Sequence, residues 1–266
     1  MNGQSSGVVP SVLYDEEYFL SVCEGYDTFK TSEGAYLSGR LAEAFSVAGI
    51  AAGMRVLDVG CGRGEVLRST LHLGAHAYGI DYADVAVRIS KQVADATDTG
   101  ELSMEVTQAS ALFLPYPDNV FDRVLLLDIV EHLYPDELET AYHEVWRVLK
   151  PGGRIIIHTA PNVWYDRFAY PLVRWVRTWM GQGEDYPQNP RAIIPENMHV
   201  HVNEQSALSL WVGLRRNRFK LVKSWLSTPP QHRTESRLLA LARWILFHIP
   251  PFKWFFEREV FAVGEK

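Results

Sequence analysis

Cysteine is nearly absent from this chain, with only Cys23 and Cys61 in 266 residues. Two thiols cannot build a disulfide framework, no bridge between them is expected, and a reducing cytoplasmic setting fits. An excess of basic charge is also missing: 26 Lys and Arg face 32 Asp and Glu, for a net charge of -6. A dedicated nucleic-acid binder normally carries a basic surface, so nucleic acid is not an expected partner. The start, Met1-Asn2-Gly3-Gln4-Ser5-Ser6, has neither a charged nor an apolar leader region, so no secretory signal is expected. The most apolar stretch, 238–256, is interrupted by Arg243 and broken by Pro250-Pro251, which leaves it short of a membrane span. No internal repeat is visible. What remains is ordinary globular composition, 47% hydrophobic and 22% charged, in a chain long enough for one large α/β core with additions.

Within that composition one stretch is concentrated: Val56-Leu57-Asp58-Val59-Gly60-Cys61-Gly62-Arg63-Gly64-Glu65. It reads as a buried strand ending in an acid, then a turn with glycine at every second position, then a helix. Glycine permits positive φ and close approach of backbone to a ligand, and an acid at the strand end can hold ammonium or hydroxyl groups. A dinucleotide fingerprint would place its third glycine at 65, where this chain has Glu65. A carboxylate there is a poor neighbour for pyrophosphate on a helix N-terminus but a tolerable one for a cationic ligand. The bland alternative is a glycine-rich turn that binds nothing. The pattern resembles motif I of the class I S-adenosylmethionine (SAM) dependent methyltransferases.

Further segments extend the resemblance. Ala77-Tyr78-Gly79-Ile80-Asp81 reads as a second strand closing on an acid that can accept both ribose hydroxyls, or cap the next helix. Phe113-Leu114-Pro115-Tyr116-Pro117-Asp118 resembles the family's loop before the fourth strand, which reads as the apolar run 124–127, buried on both faces. Asp128-Ile129-Val130-Glu131-His132 is similar to the D-x-x-E-H segment of the type 11/12, ubiquinone-biosynthesis-like branch. Leu149-Lys150-Pro151-Gly152-Gly153-Arg154 resembles its turn into strand five, expected over 155–158. The likeness runs from about residue 14 to the C-terminus, with its specific motifs between 56 and 162. It implies a Rossmann-like, doubly wound, mostly parallel seven-stranded α/β sheet, with a helical N-terminal lid and aromatic helical insertions. It also implies SAM as cofactor and S-adenosylhomocysteine as product, held by Asp58, Gly60, Cys61, Gly62, Asp81, Tyr82, Ser110, Ala111 and Asp128. One departure is Ser110, where relatives usually place an acid for the adenine amino group; a hydroxyl accepts that hydrogen bond more weakly.

Around this core the chain divides into 1–45, a disordered start and a helical lid over 14–45; 46–163, the cofactor core; 164–258, insertions and an acceptor-side cap with a late strand near 219–225; and 259–266, the final strand. A helix over 166–180 would put Phe168, Leu172, Trp175, Val176 and Trp179 on one face and Arg167, Arg174 and Arg177 opposite. Such a basic amphipathic helix can lie on a membrane, while core packing or a dimer interface is the plainer reading. Aromatic insertions beside the site favour a lipid-linked acceptor over a wholly water-soluble one.

Transfer to an alcohol needs a general base, and His132, just past the end of the central strand, is the first candidate; Glu131 and, in the separate stretch 195–203, His201 are further candidates, with a solvated strand edge the equal alternative for His201. A histidine merely held by Glu131 is the alternative. Asp128, Glu131 and His132 match the E-x-x-E-H residues that hold a divalent cation in ubiquinone O-methyltransferases, yet the shorter Asp128 leaves a metal unexpected. Read as a strand, 195–203 would point His199, His201 and Asn203 the same way. His199, Asn162 and Tyr18 are the expected acceptor contacts. The leading reading is methyl transfer to a hydroxyl of a glycan, glycolipid or quinone-like acceptor by a cytoplasmic monomer or homodimer, peripheral at the inner face of the membrane. The alternatives are a small-molecule N- or C-methyltransferase of secondary metabolism, and a non-catalytic interaction protein at a membrane surface.

Overall fold

A computed structural model describes residues 8–23, 25–97, 100–227 and 237–266. The first residues of the start read as disordered, 1–7, lie outside them, as do 228–236 of the second insertion. Seven strands form one sheet: β1 (Arg55–Val59), β2 (His76–Asp81), β3 (Met104–Gln108), β4 (Phe121–Leu127), β5 (Leu149–Thr159), β6 (Lys220–Ser227) and β7 (Glu259–Glu265). Their order is β3-β2-β1-β4-β5-β7-β6. The first five run parallel and β7 lies antiparallel between β5 and β6.

The central strands are continuous apolar runs because both faces are covered. Val124 and Leu126 of β4 pack with α5 (Pro135–Val148) and α8 (Ala207–Arg216), through Tyr142, Val145, Leu210 and Leu214. Leu125 and Leu127 point the other way, onto Ala44 and Ala48 of α2 (Gly39–Ala48) and Val66 of α3 (Glu65–His72). Helix α4 (Asp84–Asp95) follows β2. Register places Val59 beside Ile80 and Leu126, so β1, β2 and β4 finish at one edge and bring Asp58, Asp81 and Asp128 together there.

Three expectations change. The stretch 14–45 is not continuous helix: a π-helical turn at Tyr18–Val22, α1 (Tyr26–Ser32) and α2 are separated where Gly25, Glu33 and Gly34 take positive φ. Gly152-Gly153 is not a turn before strand five but a bulge inside it, where pairing with β4 jumps from Leu149 opposite Phe121 to Arg154 opposite Arg123. A Cβ on Gly153 would meet the Lys150 carbonyl oxygen at 2.8 Å, which is why the kink needs glycine. The stretch 195–203 is no strand: it holds one helical turn, α7 (Asn197–Val200). In the insertions, a π-helical turn at Tyr165–Ala169 leads into α6 (Tyr170–Trp179), and α9 (Arg237–His248) is followed by α10 (Phe252–Phe256).

Candidate active site

The loop after β1 is pinned before it reaches any ligand. The N–H groups of Gly60 and Cys61 both donate to the Ile80 carbonyl, at 2.8 and 2.9 Å. Gly60 sits at φ 77°, and a Cβ there would lie 2.9 Å from Ile129 Cδ1, so both conformation and space require glycine. Gly62 donates to Asp81 Oδ2 (3.1 Å) and Ala83 to Asp81 Oδ1 (2.9 Å), which fixes that carboxylate at the loop's edge. Asp81 does not cap α4, whose N-cap is Ala83.

Two adjoining cavities open beside this loop. The larger, about 120 Å³, is walled by Asp58, Gly62, Asp81, Tyr18 and Asp128 among others. The smaller, about 50 Å³, has Tyr82, Ser110 and Ala111 in its wall, and Gly60, Asp81, Tyr82 and His132 border both. The Ser110 hydroxyl accepts the Leu112 N–H at 3.2 Å. Asp58 is buried, and its carboxylate makes no hydrogen bond or ion pair among the described residues. Burial, reinforced by the neighbouring carboxylates Glu65 and Asp81, pushes it up to about 8. Burial also raises Asp81, to about 6, against the pull of its backbone hydrogen bonds. A buried acid without a cation beside a glycine cradle fits a ligand that brings its own positive charge, as SAM does with its sulfonium and ammonium.

Asp128 stands at the end of β4 in a positive φ of 56°. Its carboxylate lies 2.8 Å from Arg40 of α2 and 2.7 Å from Nδ1 of His158, whose Nε2 is 2.8 Å from Glu259. Burial alone would raise Asp128, but Arg40 and His158 outweigh it and hold the carboxyl well below the usual range. Burial would likewise depress His158, yet Asp128 and Glu259 lift it to about 9. The Asp128 carboxylate is thus engaged by Arg40 and His158, and the alternative ligand set of Asp128, Glu131 and His132 is not grouped among the described residues.

A different trio is. Ligand atoms of Glu131, His132 and His201 all lie within 4.8 Å of one another. Glu131 accepts the Thr159 hydroxyl at 2.8 Å, and burial followed by the Asp128 charge pushes it up to about 8. Burial, then His201, pushes His132 down to about 3, and burial pushes His201 down to about 4. Both imidazoles are therefore neutral near pH 7. His201 arrives because Val202 and Asn203 donate their N–H groups to the Glu131 carbonyl, at 2.9 and 3.1 Å. Its ring meets His132 edge-on at 4.9 Å.

Two expected acceptor contacts are corrected. His199 is exposed on α7 and borders neither cavity, because a helical turn separates it from His201. Asn162 is fully buried, but its amide donates to the Trp254 and Glu257 carbonyls (3.0 Å each) while its oxygen accepts Trp164 N–H. It braces α10 and has no donor left for an acceptor. Tyr18 does stand in the wall of the larger cavity. Cys23 and Cys61 are free thiols, as expected.

Arg63 was missed. Its guanidinium donates to the carbonyls of Phe19 (2.9 Å) and Cys23 (3.1 Å) and pairs with Glu65 at 2.7 Å, so the glycine loop holds the N-terminal segment across the cavity. Tyr14, where the expected lid begins, places its Oη 2.9 Å from His132 Nδ1.

Comparison with known proteins bears on the same region. Residues 57–157 match the methyltransferase domain family of type 11. Over these residues the chain carries a methyltransferase domain of the type 11 branch of the class I SAM-dependent methyltransferases. SAM is accordingly its cofactor. The ubiquinone/menaquinone biosynthesis C-methyltransferase of Pseudomonas fluorescens is 29% identical over 74% of this chain and 78% of its own length. The ubiquinone biosynthesis O-methyltransferase of Maricaulis maris is 32% identical over 49% of this chain and 50% of its own. A sterol 24-C-methyltransferase of Gibberella zeae is 37% identical, but the match covers 40% of this chain and 27% of that protein. This methyltransferase thus spans about half or less of two of these relatives. Among solved structures, a chain from the complex of the Haloferax volcanii Trm112 methyltransferase activator with a methyltransferase superposes with a TM-score of 0.60 at 16% identity, over 94% of this chain and 98% of its own. At that identity the likeness speaks for the fold alone.

Proposed function

We propose that this methyltransferase moves the methyl group of SAM onto the hydroxyl oxygen of a lipid-linked, quinol-like acceptor. The observation that carries this reading is His132, in the wall of both cavities, backed by His201 and Glu131. When bound, SAM supplies an electrophilic methyl group and a neutral thioether leaving group. Asp58 and Asp81 hold it through its positive charge and ribose hydroxyls. Tyr14, Tyr18 and Phe19 in the cavity wall exclude water from the acceptor side. His132 takes the acceptor's hydroxyl proton on a ring nitrogen, and the nearby Asp128 charge favours the imidazolium that forms.

The low basicity of His132 selects among acceptors. A sugar hydroxyl is a weaker acid than a phenol, which sits near 10, so the phenol is the better proton donor to a weak base, by roughly 1.4 kcal/mol for each unit of the difference. A quinol is therefore favoured over a glycan or glycolipid alcohol. Relatives named for ubiquinone and menaquinone biosynthesis support that class. Because several are named as C-methyltransferases, methylation at a ring carbon is the second reading, and the same deprotonation serves it.

Incubation with SAM and matched panels of short-chain hydroquinones and sugars, read by mass and by NMR of the new methyl group, tests this. An O-methyl product from hydroquinones is expected. Methylated sugars with unmodified hydroquinones would overturn it. A protein so directed works at the inner face of the membrane, where such acceptors reside.

A further inference from the structure

We infer that Glu137, in the first turn of α5, reads the adenine of SAM by accepting its exocyclic amino hydrogen on a carboxyl oxygen. The inference rests on the proposed placement of the ribose at Asp81 and goes beyond the acceptor chemistry. Asp58 and Gly62 border only the larger cavity, whereas Asp81 borders both. With the ammonium at Asp58 and the ribose at Asp81, the base on the far side of the ribose enters the smaller cavity. The wall there is largely apolar, with Val9, Ile80, Ala109, Leu112, Ile129 and Leu133, which suits a flat ring. Such a ring also needs an acceptor for its amino group, because a buried donor left unpaired costs binding.

The polar side chains on this wall differ in what they have left to give. Tyr14 and His132 face each other at 2.9 Å, and the Tyr82 hydroxyl donates to the Val9 carbonyl at 3.1 Å. Asp81 holds the N–H groups of Gly62 and Ala83 and is the ribose ligand in this placement. The Ser110 hydroxyl accepts from Leu112. Glu137 is the second carboxylate of the wall, only 8% exposed, and its two oxygens are used differently. Oε2 accepts the Tyr134 N–H at 2.8 Å, which closes the start of α5 as a capping box. Oε1 has no hydrogen bond or ion pair among the described residues, and it keeps accessible surface. The cap thus holds the side chain in one orientation while its other oxygen stays available. A carboxylate accepts an N–H about twice as strongly as a neutral group does. The Ala111 N–H, on the same wall and without an acceptor among the described residues, supplies a donor for the ring nitrogen beside the amino group. An acceptor paired with a donor matches adenine, whereas the 6-oxo base hypoxanthine presents the reverse pair.

Calorimetry on the full chain with S-adenosylhomocysteine and its 6-oxo analogue S-inosylhomocysteine tests the inference without acceptor or turnover. The parent should prefer the adenine compound by at least about thirtyfold, since the analogue turns a carbonyl oxygen toward a carboxylate. In Glu137→Gln the preference should collapse to within about threefold, because an amide can donate as well as accept. The glutamine oxygen still caps Tyr134, so Tm should stay close to that of the parent, which separates base reading from a purely structural cap. Ser110→Ala should keep the preference, and Asp81→Asn should weaken both compounds alike. A parent that binds both compounds equally, Glu137→Gln with the parent's preference, Ser110→Ala as the variant that loses it, or Asp81→Asn that weakens neither compound would each overturn the inference. All of these leave methyl transfer to a quinol standing, because that is read from the identity of the methylated product.

Discussion

The hydroxyl of Tyr14 lies 2.9 Å from Nδ1 of His132, joining residues 118 positions apart across the mouth of the cofactor cavity. Burial and neighbouring tyrosines raise Tyr14 far above the ordinary phenol range, so it stays protonated and can orient the ring but not remove a proton. Its role is positioning. Tyr14→Phe keeps the ring contacts with Tyr18 and Tyr82 and deletes one hydrogen bond. The expected result is a fall in kcat of about tenfold with SAM affinity within about threefold of the parent, measured by steady-state kinetics and calorimetry. Equal losses in kcat and in SAM binding would instead mean that Tyr14 serves only to hold the lid.

Asp58 sets affinity for the cofactor against stability of the empty protein. Its raised value of about 8 means the native carboxyl keeps a proton that the unfolded chain has lost above about pH 4, so its contribution to stability falls as pH rises from 4 to 8. A cationic ligand reverses the preference and binds the ionised form. SAM affinity should therefore weaken by up to about tenfold per pH unit as pH falls from 8 to 6, with a smaller contribution from Asp81 near 6. Asp58→Asn should raise Tm at pH 8 by a few degrees, at about 2–4 °C per kcal/mol, while lowering SAM affinity about a hundredfold. A flat affinity profile over this range would remove Asp58 from the ammonium site.

The latch at Arg63 is a buried pair with Glu65. Arg63→Ala leaves that carboxylate buried and uncompensated, a loss of about 3–5 kcal/mol in denaturant unfolding. Adding Glu65→Gln should recover much of the stability but not the hydrogen bonds to Phe19 and Cys23, so the double variant should be folded and still bind SAM weakly. If it binds as tightly as the parent, Arg63 matters for packing alone.

What the sequence disclosed follows from where the determinants are local. Asp58, the glycines and Asp81 are set by strand ends and by turns that only glycine can make, and both signals lie within a few residues. The pairings that close the site are not local. Nothing in the periodicity links Tyr14 to His132, or marks Arg63, which occupies a free position of the glycine motif. The two histidines at 199 and 201 suit a period of two, and what decided against a strand was a distant acceptor, the Glu131 carbonyl, that captured Val202 and Asn203. Asn162 looked like a cavity residue because it follows β5, but the insertion supplied two carbonyls for its amide first.

His158 gives the fold a stability limit on the alkaline side. It is buried between Asp128 and Glu259, and their charges lift it to about 9 despite burial, above an unfolded value near 6.5. A histidine raised in this way contributes its full stabilisation below about pH 6.5 and loses it as pH climbs through 9, because the native state then holds a proton that the unfolded state has released. Tm should fall between pH 7 and 9.5, a range where surface carboxylates no longer titrate and the buried Asp58 adds to the decline only up to about 8. Glu259→Gln removes one of the two anions, so the decline should begin at lower pH and be shallower. An unchanged Tm profile in that variant would show that the imidazole is neutral in the native protein, and the network at the base of the site would then be an Arg40–Asp128 pair with a neutral histidine beside it.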